Sequence, residues 1–155
     1  MSEDAQEGIE ASRNQTAKKA ERILLNSEAG YIVPTAKQKR ILVVEFAKAN
    51  LIVYGKAFDI VRAPKGVNLD DAGEVADNLK SITLCEIKSS NRNLPEDFKG
   101  YFFALTTAEL LVAQNLKQNY KFLFVSTVTE LHIELSLQEI FGRARGIYPT
   151  WSIMF

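Results

Sequence analysis

Cysteine and histidine are all but missing from this 155-residue chain, where Cys85 and His132 each stand alone. Their scarcity excludes a disulfide framework, a structural zinc site and any catalytic pair needing two residues of either type. It also confines Ser-His-Asp hydrolysis to a site built on His132. With 4 prolines and 8 glycines, no linker, repeat or low-complexity tract divides the sequence. A single domain over 1–155 is expected, with 1–11 a flexible N-terminus. There is no excess of charge, 19 basic residues against 19 acidic, so the whole molecule lacks the positive field that marks many nucleic-acid binders. Long hydrophobic runs are absent too. The most apolar stretch, Tyr101 to Leu116, is broken by Glu109, Gln114, Asn115 and two threonines, and a carboxylate within a membrane span costs roughly 2.5–3.5 kcal/mol. A buried helix of a soluble protein is expected there. The first ten residues carry four acids where a signal peptide needs bases and then an apolar run, so a cytoplasmic setting without membrane association is expected.

What is present is ordinary core-forming material: 46% apolar and 10% aromatic residues, enough to bury one core. The balanced charge is also segregated. Residues 11–65 hold eleven Lys or Arg against four acids, while Leu69–Asp77 holds Asp70, Asp71, Glu74 and Asp77 and no base. A polyanion could use such a basic region, although solvated helix faces account for most charge runs.

Apolar spacing over 12–29, stopped by Gly30, predicts a first helix. An extended piece at 31–33 ends at Pro34, and Thr35 can cap a second helix to about Ala49, with a strand over 41–46 as the alternative. Leu51–Tyr54 and Ala57–Val61 read as extended, followed by an acidic loop and a strand over 81–88. A turn at 91–95, a helix over 105–118, a strand over 120–127 and a helix over 137–145 complete the pattern. The aromatic end, Tyr148, Trp151 and Phe155, is expected to pack back on the sheet. Phe102, Leu105, Leu110, Leu111, Val112 and Leu116 read as core, or in part a dimer face, and not as a cofactor box, so no organic cofactor is expected. The fold class that follows is α/β (α+β), a mixed central sheet flanked by helices.

Two of the strands carry acids among apolar neighbours. Alternation sets Asp59 on the opposite face from Phe58 and Ile60. The same period of two puts Glu86 and Lys88 on one face, roughly 6.5–7 Å apart along the strand. If the two strands pair, Asp59 lies beside Glu86, and two carboxylates so placed must share a proton or a cation. A hard divalent ion such as Mg²⁺, with Mn²⁺ as a substitute, suits oxygen ligands of this kind. A structural ion cluster of Asp59 with Lys88 is the competing reading, but buried ion pairs stabilise weakly compared with apolar replacements.

Asp59, then Glu86-Ile87-Lys88 in an apolar strand followed by Ser89-Ser90, a helix and another strand, resembles the PD-(D/E)XK nuclease superfamily, the fold of type II restriction endonucleases and Holliday-junction resolvases. The resemblance runs over about 17–127. It implies a restriction endonuclease-like three-layer core and a Mg²⁺-dependent DNA endonuclease; cutting both strands of a duplex needs two active sites, so a homodimer is expected. Asp59, Glu86 and the Ile87 carbonyl would hold the metal, and Lys88 would orient or help deprotonate the attacking water. A glutamate on the first helix, Glu21 with Glu45 in reserve, would join the catalytic set. Phe58 stands where the superfamily often has proline, and 27 residues separate Asp59 from Glu86. Lys37, Lys39, Arg40, Lys56 and Arg92 are candidates for phosphate contacts. Arg143 and Arg145 suit a helix terminus better than base reading. Gly146-Ile147-Tyr148 resembles the start of the GIY-YIG motif, but the second half of that motif is missing. Cys85 should be an inert core thiol, and His132, alternating with apolar residues, a structural side chain.

Overall fold

The computed structural model describes residues 3–155. Five strands form one mixed sheet: β1 (Tyr31–Ile32), β2 (Ile60–Arg62), β3 (Thr83–Ser90), β4 (Tyr120–Ser126) and β5 (His132–Leu135), lying side by side in that order. The pairs β1–β2, β2–β3 and β4–β5 are antiparallel, and β3–β4 is parallel. A parallel neighbour demands a crossover, supplied by the helix α4 (Thr107–Leu116) as numbered in chain order after α1 (Glu3–Asn26), α2 (Ala36–Lys48) and α3 (Ala72–Asn78); α5 (Leu137–Arg143) follows β5.

Alternation along β3 and β4 builds two cores. Ala20 and Leu24 of α1 pack on Ile60, Cys85, Leu123 and Val125 on one face. Leu42 and Phe46 of α2, Val75 of α3 and Val112 and Leu116 of α4 pack on Val61, Leu84, Phe122 and Phe124 on the other. The result is three layers, a mixed sheet between helices, as the sequence pattern leads one to expect. No helix among the described residues is long and apolar enough to cross a membrane.

Local chemistry sets the helix boundaries. Thr35 and Gln38 form a capping box at α2, settling that segment as a helix, and Thr106 with Glu109 does the same for α4. Gly30, at φ +83°, turns the chain out of α1 towards β1.

The structure departs from the sequence reading at several places. Helix α1 spans Glu3–Asn26 and so begins well ahead of the helix expected over 12–29; alanine, glutamate and glutamine there are good helix formers without an apolar period to announce them. Leu51–Tyr54 is loop, β2 is only three residues long, and the acidic loop holds α3, capped by Asp71. Strand β5 occupies a stretch with no strand expected. The aromatic end does not fold back: Trp151 is 91% exposed, and Tyr148 and Phe155 are exposed with it. Phe102 and Leu111 lie at the surface, whereas Val112 and Leu116 are core.

Candidate active site

The loop before β2 is held by three anchors. The Tyr120 hydroxyl donates to the Ala57 carbonyl. Lys39 Nζ donates to the Phe58 carbonyl at 2.9 Å and to Gly55 at 3.4 Å, lying 4.9 Å above the Phe58 ring. Asp59 N–H then donates to the Cys85 carbonyl at 2.9 Å, next to the register in which Ile60 faces Cys85. The chain bends at Asp59, so Phe58 and Ile60 enter different cores and the simple alternation expected there fails. The bend frees the Asp59 carboxylate to turn along β3, where Oδ2 accepts the Ile87 N–H at 3.0 Å. Asp59 is thus bonded to residues 85 and 87 of β3 and brackets Glu86.

Beyond Cys85, β3 has no partner in β2 and pairs only with β4. Main-chain N–H and C=O groups of one strand residue point to the same side. The Ile87 carbonyl is therefore directed, like its N–H, to the side where Asp59 lies.

Glu86 and Lys88 share the face of β3 opposite α1, and α4 covers it. Lys88 Nζ donates to Glu109 Oε2 at 2.8 Å and reaches Glu86 Oε1 at 3.4 Å, with the side chains of Lys88, Glu86 and Glu109 only 13%, 12% and 7% exposed. Glu109 also accepts the Thr106 N–H at 3.0 Å, so one carboxylate caps α4 and fixes Lys88. Burial pushes the Glu109 carboxyl up, but the hydrogen bonds from Lys88 and Thr106 outweigh it and hold the group below its ordinary value. Glu86 goes the other way. Burial, then the Asp59 charge, then a hydrogen bond that its protonated form makes with Glu109 push it up to about 9, and among the described residues its Oε2 is buried with no N–H or hydroxyl donor on it. Each pKa unit is about 1.4 kcal/mol, so an ionised Glu86 beside an ionised Asp59 is costly unless a cation joins them.

That chemistry is the test of fit for a metal. An orphaned carboxylate oxygen, a second acid whose Oδ2 alone is engaged, and a main-chain carbonyl on the same side form a hard oxygen donor set, which suits an ion that retains waters. Among the described residues no group of three or more His, Cys, Asp or Glu side chains is disposed to hold a metal; the third carboxylate nearby, Glu109, is engaged by Lys88.

Other expected site residues fall elsewhere. Glu21 is half-buried on α1, which packs on the opposite face, and has no hydrogen bond or ion pair with Asp59, Glu86 or Lys88 among the described residues. Glu45 is buried against Lys48 at 2.7 Å. Lys39 is committed to the loop before Asp59, so its part is to position that loop, and Lys37 pairs with Asp70 at 3.5 Å. Arg40, Lys56 and Arg92 are exposed. Glu109 was not anticipated as a site residue. Its signal is Thr106-x-x-Glu109, but that pattern announces a cap and says nothing of Lys88. Burial drives the Cys85 thiol upward, as befits an inert core group.

Compared with known proteins, the chain matches no family model, no curated protein and no solved structure. The functional reading therefore rests on the residues themselves.

Proposed function

We propose that this protein is a Mg²⁺-dependent DNA endonuclease that hydrolyses phosphodiester bonds, resembling type II restriction enzymes, with junction or repair cleavage as the alternative role. The observation that carries the reading is the bracketing of Glu86 by Asp59 while Glu86 keeps an oxygen buried and unpartnered. In a purely structural cluster that oxygen would stay without a donor, at a cost of about 1–3 kcal/mol for an unsatisfied buried acceptor, whereas a bound cation would satisfy it.

In this reading Asp59, Glu86 and the Ile87 carbonyl hold the ion, and Mn²⁺ can replace it. When bound, the metal would lower the pKa of a coordinated water and neutralise charge on the scissile phosphate. Glu86 gives up its proton on becoming a ligand. Lys88, fixed by Glu109, presents its ammonium two residues along the same face, where it can orient the incoming water or hydrogen-bond a phosphate oxygen. The loop before β2 is anchored at Ala57, Phe58 and Asp59 in turn, so the donor set is preorganised. Cutting both strands of a duplex calls for two such sites, hence a homodimer.

The test is incubation with supercoiled plasmid and with branched DNA, in Mg²⁺, Mn²⁺ or EDTA, beside Asp59→Ala and Lys88→Ala. The expected result is metal-dependent nicking or cutting that falls by about 10²- to 10⁴-fold in the Lys88 variant and is lost in the Asp59 variant. DNA binding without cleavage in any metal would make the protein a non-catalytic subunit instead.

A further inference from the structure

Immediately beyond Lys88 the strand runs into a cleft of about 380 Å³, with Arg13 and Thr16 of α1 on one wall and Ser89, Asn91, Arg92 and Phe102 on the other. The lining holds two arginines, several hydroxyl or amide groups and no carboxylate. That is a surface for a polyanion.

Its floor is built. Arg92 N–H donates to Ser90 Oγ at 3.1 Å, Ser126 Oγ donates to the Arg92 carbonyl at 3.2 Å, and Thr127 Oγ1 donates to the Ser90 carbonyl at 3.2 Å. The turn that carries Arg92 is therefore fixed to the end of β4. The wall beside it is fixed through Tyr101, whose hydroxyl donates to the Ser89 carbonyl at 2.7 Å. Tyr101 and Phe103 both turn inward against Phe124. The residue between them is forced outward, and Phe102 stands 75% exposed at the cleft. An aromatic ring held so far into water costs apolar burial, and its neighbours explain its direction but not its size.

Basic side chains that track phosphates, beside an open ring on which a base can stack, are the pair of features used to hold unpaired nucleic acid. In a duplex the bases are already stacked, and the ring has no free face to meet. We propose that this cleft binds a single DNA strand, with Arg13 and Arg92 on its phosphates and Phe102 against a base. The binding does not rest on the nuclease reading.

Fluorescence anisotropy in EDTA, with a labelled single-stranded oligonucleotide and the duplex of the same sequence, tests it. The single strand should bind tighter. Phe102→Ala should weaken single-strand binding by about 5- to 150-fold, and Phe102→Trp should keep it. Arg13→Gln and Arg92→Gln should each lower the slope of log affinity against log salt by about 0.7. Phe102 is exposed, so its variants should unfold at the temperature of the parent. Equal or tighter duplex binding, or a Phe102→Ala variant with unchanged affinity, would overturn the proposal. Plasmid assays on the same proteins separate it from the nuclease reading. Single-strand binding without cleavage in any metal removes the nuclease and leaves the cleft, whereas metal-dependent cleavage with single-strand affinity unchanged in Phe102→Ala does the reverse.

Discussion

The two faces of the sheet each carry a cluster of ionisable side chains, and they are built to different ends. On the α1 face Glu134 of β5 receives Arg62 Nε and Nη2 at 3.1 and 2.8 Å and the Tyr31 hydroxyl at 2.8 Å. The three residues tie β5 to β1 and β2 across the width of the sheet. Burial raises the Glu134 carboxyl, but its hydrogen bonds from Arg62 and Tyr31 prevail and hold it below the ordinary range. On the opposite face one cation, Lys88, stands among Asp59, Glu86 and Glu109, and Glu86 is left with an orphaned oxygen. A cluster whose acid is matched by donors is explained by architecture. One with an acid to spare is short of a positive charge, and that difference separates a structural network from a candidate site better than burial does.

The largest expected contrast is in pH dependence. Glu86 is raised to about 9 in the folded chain, so the folded state binds a proton that the unfolded state has released, and stability should fall as pH rises from about 5 to 9. The slope for one proton is at most about 1.4 kcal/mol per pH unit. Thermal unfolding in EDTA should show this decline in the parent and lose most of it in Glu86→Gln. Saturating Mg²⁺ should also flatten it, because ion and proton compete for one carboxylate. Glu134 has the opposite sign: its contribution is present above the ordinary carboxylate pKa and lost on acidification. Parallel pH profiles for the parent and Glu86→Gln would erase the contrast between the two clusters.

The sequence makes one half of the candidate site legible and conceals the other. Glu86 and Lys88 follow from a period of two in a strand whose apolar neighbours need no partner structure to interpret. The pairing of β2 with β3 is only a condition in the sequence, because 27 residues separate Asp59 from Glu86, and the tertiary structure supplies it. Glu109 was hidden because an acid at the third position of a helix is already accounted for by its cap, and only the packing of α4 over β3 brings it to Lys88. Lys39 is visible in the sequence only as a candidate phosphate contact, because its partners are carbonyls 16 and 19 residues on, in a loop whose path is set by tertiary contacts. The acidic loop likewise masked α3, whose seven residues are too few to show a period. At the C-terminal end, aromatic composition suggested burial, but composition alone does not supply a surface to pack on.

Glu109 offers the next contrast in size. Because Glu109 holds Lys88 and hydrogen-bonds the protonated Glu86 without being a proposed ligand itself, its role is to position, and Glu109→Gln should lower metal-dependent cleavage by roughly 10- to 100-fold while shifting the pH profile of the rate. The amide keeps a cap acceptor for α4 but leaves Lys88 without its buried counter-charge, a loss of about 3–5 kcal/mol, so rates are to be compared per folded molecule. A fall in rate with an unaltered pH profile would point to a merely structural part for Glu109. The same assay on Arg62→Gln, across the sheet, should show the parental rate per folded molecule.

The smallest effect belongs to Tyr31→Phe. The ring stays buried beside His132, with which it makes an edge contact at 6.2 Å, and only the hydroxyl is removed. Glu134 Oε2 then loses one of its two donors but keeps Arg62 Nε. An intramolecular hydrogen bond is worth about 0.5–1.5 kcal/mol net, and the half-buried guanidinium keeps the carboxylate ionised, so the cost should lie in that range. Urea unfolding should show a lower midpoint at unchanged slope, with cleavage untouched. A loss well above that range, or any change in rate, would mean that the matched cluster reaches through the sheet to Asp59 and Glu86. The two faces would then act as one electrostatic unit, with β3 as the wall both lean on.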